Sequence, residues 1–403
     1  MKNKTLLTIV YDFKSGEGKK KFIEGLNYLN KINSHSQNKI LLDLSNFCSG
    51  KDFQFDKDFR ELDLYYFRPR NFLELYKFSK KRDIHAFGLD NCSFKLLKIF
   101  LLLKLLKFNL IFVNQFGFFP QSYQDKKFIK SKNYFVYKKN RINYLFFRIL
   151  SLLRIIPVIK YYFEASQSRI DTINNSISNK LDKKLNFKLF SYFENIVRIN
   201  SVYYDTFLTR KEKAQKNDFI LFIDNGFDHP DRINNDSKIL NQDRDNYYKN
   251  LFYFLLKIKK IYNLEIYYCK HPKSNYPKNE YFAQIEKEFF FPQFSTIDLI
   301  RSSRFVIFSE TTLINQIILK KKKIILLNSK FLGNYYSSKV NSIKNEIDLF
   351  YLSLENLDLI TKDKLEYEMK KKIILYDEFI SKNIISEKNV FSFEQIKKFL
   401  LIK

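Results

Sequence analysis

Short apolar runs separated by polar, lysine- and asparagine-rich stretches recur through the first 125 or so residues: LLTIVYDF, KILLDLSNF, ELDLYYF and NLIFVNQFGFF. Apolar and aromatic runs of that length, bounded by polar connections, predict buried strands of an α/β domain with a largely parallel sheet. Helical patterns follow at residues 94–107 and 144–162, where basic residues stand among Leu, Ile and Phe. In the first, Lys95, Lys98, Lys104 and Lys107 recur at separations of three and six, giving a polar flank beside a leucine-rich face. Two readings of that face stay open. It can lie in a lipid headgroup layer, or it can cover the sheet while the lysine stems reach outward to water. Pro157 is expected to break or kink the second stretch. Residues 163–215 are polar, with apolar returns at LFSYFENIV and SVYYDTFL, and are expected to carry helices and the crossover between two domains.

Past residue 216 the rhythm sharpens into strand, loop and helix. DFILFID reads as a buried strand ending at Asp224, and residues 247–263 as a helix. LEIYYCKH is a strand ending at His271, STIDLIRSS a short helix, RFVIFSE a strand ending near Ser309, TTLINQIILKK a helix and KKIILLN a strand ending near Asn328. In an open parallel sheet the residues just past the strand carboxyl ends gather around one crevice. Asp224, His271, the Ser309–Thr312 cluster and Asn328 all occupy such positions. The tail beyond residue 335 is expected to add helices, one of them with an apolar face in EYEMKKKIILYDEFI.

Composition narrows the class. The 403 residues are 45% hydrophobic and 18% aromatic, which excludes wholesale disorder and fits two domains. Three cysteines and four histidines, scattered along the chain, leave little material for a disulfide scaffold or a clustered metal site, so no metal and no cofactor are expected. The first residues lack the apolar core and cleavage site of a signal peptide and read as a first strand; no apolar run is long enough to span a bilayer. A cytoplasmic protein is expected, with attachment to the inner face of the membrane as the additional reading of the basic helices. With 71 Lys+Arg against 43 Asp+Glu the net charge is +28, so an anionic membrane, a nucleotide sugar and nucleic acid are all candidate partners. RNP, KH, zinc-finger and recognition-helix signatures are missing, which argues against nucleic acid.

Three segments carry candidate chemistry. In IDNGFDHPDR, Asp224, Asn225 and Gly226 follow the strand, and His229 and Asp231 lie in the next turn; such a loop can bind hydroxyls or assist proton transfer, or simply cap its own N–H groups. In YYCKHPKSNY, His271 is fixed by Pro272 and flanked by Lys270 and Lys273, a setting suited to a phosphate or carboxylate. In FSETTLINQIILKK, Ser309, Glu310, Thr311 and Thr312 enter a helix whose first N–H groups can cradle an anion, with ordinary N-capping as the plain alternative. Neither a dinucleotide-binding glycine motif nor a Walker A sequence is present.

Together, residues 219–333 resemble a family of bacterial surface-polysaccharide proteins of the GT-B glycosyltransferase kind. His271-Pro272 and the Ser309–Thr312 segment resemble the HP and Ser/Thr motifs of bacterial sialyltransferases and related ulosonate transferases. The resemblance implies two Rossmann-like domains facing a central cleft: an acceptor-side domain over residues 1–205, a donor domain over 216–335, and bracing helices over 336–403. It further implies a CMP-linked nonulosonate or Kdo donor and a bacterial glycan or glycolipid acceptor. His271 would contact the donor phosphate and support leaving-group departure, with Lys270, Pro272, Ser309, Glu310, Thr311, Thr312 and Asn328 around the donor. Asp224-Asn225-Gly226 stands where that family's acidic D/E-D/E-G motif falls, but with Asn225 in place of an acid. Asp224 would then organise the cleft, and the acceptor's base would be Asp12 or Asp90. The competing expectation is a noncatalytic polysaccharide-assembly or membrane-binding protein.

Overall fold

The computed structural model describes residues 3–10, 40–44, 65–87, 97–118, 153–157, 159–177, 193–209, 219–227, 241–274, 279–293, 295–356 and 360–402, with positions 47, 146, 149, 150, 229 and 276 between them. The chain forms two compact units. One comprises Met1–Gly117, Val136–Val202 and Ser386–Lys403; the other comprises Phe118–Phe135 and Tyr203–Ile385.

In the first unit the strands are β1 (Asn3–Val10), β2 (Ile40–Asp43), β3 (Tyr65–Phe67), β4 (Arg82–Phe87), β5 (Asn109–Asn114), β6 (Ile159–Glu164) and β7 (Phe193–Arg198). They pair in the order β3-β2-β1-β4-β5-β6-β7, every described pair parallel. Helices α1 (Phe72–Lys80) and α2 (Leu97–Leu105) cover one face, where Leu75, Phe78, Ile99 and Leu103 meet Leu7, Ile9, Leu42 and Ile84. The other face packs Leu6, Phe87, Ile111 and Phe163 against Ile396 and Leu400 of the C-terminal helix. A parallel sheet covered on both faces favours continuous apolar runs, as in Ile40–Leu42 of β2, whose buried last residue Asp43 accepts from the Tyr66 hydroxyl.

Two expectations are corrected here. The helix foreseen over residues 144–162 gives way to strand β6 at Ile159, two residues beyond Pro157. Its aromatic IKYYFE run is claimed by pairing with β5 on one side and β7 on the other. The apolar return in LFSYFENIV, placed among helices by the sequence, supplies β7. The first unit also contains α3 (Gln167–Ile177), and α4 (Val202–Thr209) leads into the second unit.

The second sheet contains β8 (Phe219–Ile223), β9 (Glu265–Cys269), β10 (Phe305–Phe308), β11 (Lys323–Asn328) and β12 (Tyr351–Ser353), in the order β12-β11-β10-β8-β9, again parallel. Side chains alternate between faces along a strand, and the cores follow that period. Ile220 and Phe222 join one core with α5 (Asn241–Tyr262) and α6 (Glu280–Glu288), whereas Phe219, Leu221 and Ile223 join the other with α7 (Thr296–Ser302) and α8 (Ile314–Leu319). On α5, Tyr247, Leu251, Phe254, Leu255 and Ile258 recur at helical spacing and are fully buried. α6 is capped by Asn279, whose side chain accepts from Phe282 N–H at 2.8 Å. The tail contributes α9 (Gly333–Glu346), α10 (Lys362–Ile373), α11 (Tyr376–Asn383) and α12 (Ser392–Ile402). These helices are shared out: α9 to α11 belong to the second unit and α12 to the first.

Candidate functional site

From β8 the chain runs to α5 on one face and pairs outward to β9; from β10 it runs to α8 on the opposite face and pairs outward to β11. Connections that leave neighbouring strands on opposite faces open a crevice at their carboxyl ends, the switch point where ligands of such sheets bind. Phe308 lies opposite Ile223 and Ile223 opposite Cys269, so Ser309, Asp224 and Lys270 are the first residues past three adjacent strand ends. The topology therefore brings Asp224, His271 and Ser309 to one edge of one sheet, as their strand-end spacing implies. Asn328 ends β11, the next strand outward.

Asp224 is 2% exposed and fully engaged. Gly226 N–H donates to Oδ1 at 3.0 Å and Tyr268 Oη–H to Oδ2 at 2.6 Å, with Tyr276 also hydrogen-bonded to the carboxylate. Burial outweighs these donors and raises its pKa above the ordinary carboxylate value. A carboxylate so enclosed holds the turn and is poorly placed to take a proton from a diffusing hydroxyl. Gly226 follows with φ +69°, and a Cβ there would lie 1.7 Å from Ser274 Oγ, so only glycine fits. From α9, Tyr336 Oη–H donates to the carbonyls of Asn225 and Gly226 at 3.1 and 3.2 Å, fixing both peptide planes.

His271, two residues past β9, is held from both sides. Its N–H donates to Tyr276 Oη at 2.6 Å, and its Nδ1 accepts from Lys273 N–H at 3.2 Å. An imidazole accepting at Nδ1 carries its proton on Nε2 when neutral, so that Nε2–H is a hydrogen-bond donor. His229 packs edge-to-face on it, with ring centroids 4.5 Å apart at 85°, and His229 N–H bonds the Gly226 carbonyl at 3.1 Å. Pro272 and Lys273 are exposed. Lys270, assigned to the donor by the sequence, is engaged in an ion pair and ring contacts. Its ammonium lies 2.6 Å from Glu286 and within 5.3 Å of the ring centroids of Tyr276, Phe282 and Phe291.

Past β10, Ser309, Glu310 and Thr311 are buried and Thr312 is exposed. The sequence placed these hydroxyls on the first turn of a helix, but α8 begins only at Ile314 and spans six residues. The Thr311 hydroxyl instead accepts from Leu313 N–H at 3.2 Å, the plain capping role. Glu310 is paired with Lys339 of α9 at 3.4 Å. Asn328 donates to Tyr351 Oη at 2.7 Å, while its Oδ1 and the Ser309 hydroxyl are buried without a hydrogen-bond partner.

The tyrosines Tyr268, Tyr276 and Tyr336, which orient the candidate groups, escaped the sequence reading because an aromatic in a strand (Tyr268) or helix (Tyr336) reads as core and Tyr276 lies in a loop with no motif of its own; only the hydrogen bonds distinguish them. Asp12, Asp90 and Asp231 lie outside the described residues. In the first unit the sequence also missed Glu164, fully buried at the end of β6. It accepts from Tyr162 Oη at 2.6 Å, Asn114 Nδ2 at 2.8 Å and Ser166 N–H at 3.1 Å, and burial raises its pKa. Among the described residues no group of three or more His, Cys, Asp or Glu could hold a metal ion.

No protein-family model matches the chain, and no curated protein matches it. Solved structures similar to it include a UDP-GlcNAc 2-epimerase from Methanocaldococcus jannaschii, at 13% identity and TM-score 0.43 over 99% of this chain and 100% of that one. MurG of Acinetobacter baumannii follows at 8% identity and TM-score 0.41 over 99% and 100%, and a S. aureus MnaA–UDP co-structure at 12% and 0.40 over 92% and 91%. Those TM-scores all fall below 0.5, so the functional reading rests on this chain's own residues. Two parallel sheets, each covered by helices on both faces, define an α/β protein of two Rossmann-like units.

Proposed function

We propose that this protein is a glycosyltransferase that moves a sugar from a nucleotide donor onto a hydroxyl of a bacterial surface glycan or glycolipid. The observation that carries this reading is His271. Its ring is fixed through Nδ1, its backbone is fixed through Tyr276, and it stands at the carboxyl edge of the sheet beside the switch point. Nε2–H is then the donor for the phosphate oxygen of the departing nucleotide, as the anomeric carbon–oxygen bond breaks and the acceptor oxygen bonds to that carbon. Ser309, Thr312 and Asn328 are the donor-binding residues on the neighbouring strands, and Asp12 is the base that takes the acceptor proton. The HP and Ser/Thr fragments name the donor to be tried first, a CMP-linked nonulosonate or Kdo.

Attachment to the inner face of the cytoplasmic membrane is part of the proposal. Among the described residues no helix is long and apolar enough to cross a membrane. In the first unit, exposed Leu101 and Leu105 of α2 stand beside exposed Lys98 and Lys107, and exposed Leu153 and Ile155 flank Arg154. Apolar side chains with flanking cations suit an anionic lipid surface.

The test is nucleotide release from CMP-, UDP-, GDP- and dTDP-sugars, with and without bacterial glycan acceptors. Acceptor-dependent release of CMP is expected, with kcat lowered about 10²-fold or more in a folded His271→Ala protein. Sugar conversion without an acceptor would assign a different nucleotide-sugar enzyme. No turnover with any donor, combined with intact vesicle binding, would leave the noncatalytic reading.

A further inference from the structure

We infer that Ser274 and Asn225 bind the donor phosphate together with Ser309, as a rim of neutral hydrogen-bond donors around His271; this rests on the donor site proposed above. Asn225 is 4% exposed and Ser309 2% exposed, and neither Asn225 Nδ2 nor Ser309 Oγ has a hydrogen-bond partner; Ser274 Oγ is likewise buried and unpartnered. Buried polar atoms are paired in nearly all folded proteins, so three unpaired ones just past three adjacent strands call for a common explanation. The three belong to the turns following β8, β9 and β10, the strands that flank the switch point.

The packing of Ser274 is specific. Its hydroxyl lies where the Cβ of residue 226 would otherwise be, within reach of glycine alone, and the same position is 3.4 Å from His271 Cβ. Ser274 N–H donates to the His271 carbonyl at 3.2 Å, so hydroxyl and imidazole belong to one rigid turn. An amide NH₂ can only donate, and both hydroxyls can donate, so with His271 Nε2–H the set matches a group that presents acceptors alone. A phosphoryl group does so. Lys270 and Lys339 are paired with Glu286 and Glu310, while Lys273, on the same turn as Ser274, is exposed.

The experiment titrates CMP, UMP and inorganic phosphate calorimetrically into the full chain and into Ser274→Ala and Asn225→Asp proteins, and records melting temperatures with and without each probe. Ser274→Ala is expected to weaken nucleotide binding about tenfold, and Asn225→Asp, which sets a carboxylate against the phosphate, by more. The ligand-free melting temperature of Ser274→Ala should not fall, because the removed hydroxyl pairs with nothing; a structural serine would lower it. Wild-type affinity in both variants, or no binding of any probe by the wild-type chain, overturns the inference. Unchanged variants in a chain that still transfers sugar refute the rim and leave the transferase reading standing. Variants that lose phosphate binding in a chain that transfers no sugar do the reverse.

Discussion

Asp224 uses one carboxylate oxygen for the Gly226 N–H of its own turn and the other for the Tyr268 hydroxyl of β9, and the energetic consequence is a dependence on pH. Its pKa is raised by burial in the folded chain. A carboxyl with a folded-state pKa above its unfolded value binds its proton more tightly in the fold. That stabilisation is complete below the unfolded value and is lost as pH rises through the folded one. Asp224→Asn cannot titrate and keeps an acceptor for Gly226 N–H. It should therefore lack the part of the decline in melting temperature, with rising pH, that wild type shows from the ordinary aspartate range upward. Melting curves across that range check this, and an identical slope in both proteins counts against it. The sequence identified Asp224, His271 and Ser309 because a strand end is visible as the place where an apolar run stops. It could not show that Asp224 is enclosed, that Lys270 answers to Glu286, or that Thr311 caps its own turn, because each depends on partners distant in sequence or on loop geometry.

Among elements, the C-terminal helix α12 depends on one asparagine. Asn200, fully buried after β7, donates from Nδ2 to the carbonyls of Glu387 and Val390 at 2.7 and 2.6 Å. Its Oδ1 accepts the N–H groups of Ser386 and Glu387 at 2.6 and 3.0 Å. Gln395 of α12 accepts from Asn200 N–H at 2.6 Å, and Ile396 and Leu400 enter the sheet core alongside. Asn200→Ala leaves several backbone groups to find water and should cost about 1–3 kcal/mol. Urea unfolding measures it, with faster proteolysis between residues 386 and 391 as the local signature; an unchanged midpoint contradicts it. Period and apolar runs located nearly every strand of the second unit, and failed where local signals compete. Residues 159–164 follow a helix-like run yet form a strand, because β5 and β7 offer pairing on both sides.

At the scale of the whole molecule the +28 charge acts as a field and the exposed leucines as contacts. Leu105 is 71% exposed and Leu153 60%, so both can be replaced without opening a core. Leu105→Glu with Leu153→Glu should lose co-flotation with phosphatidylglycerol vesicles while keeping the wild-type melting temperature. Added salt should weaken the wild-type interaction more than it weakens binding of a nucleotide at the second sheet, because exposed charges are screened and enclosed hydrogen bonds are not. Flotation unaltered by the double substitution would remove this face from the proposal.

The order of apolar runs and their separation by helical connections determined, from the sequence alone, that two parallel α/β sheets would form and which residues would stand just past their strand ends. Backbone periodicity is local, and so it is written in the chain. Tertiary structure decided the rest: β10 lying beside β8 with their helices on opposite faces, His271 anchored by Tyr276, and Ser274 pressed against Gly226. Those relations join residues brought near only when the sheet assembles and the loops close over its edge, and hydropathy carries no record of which loop meets which.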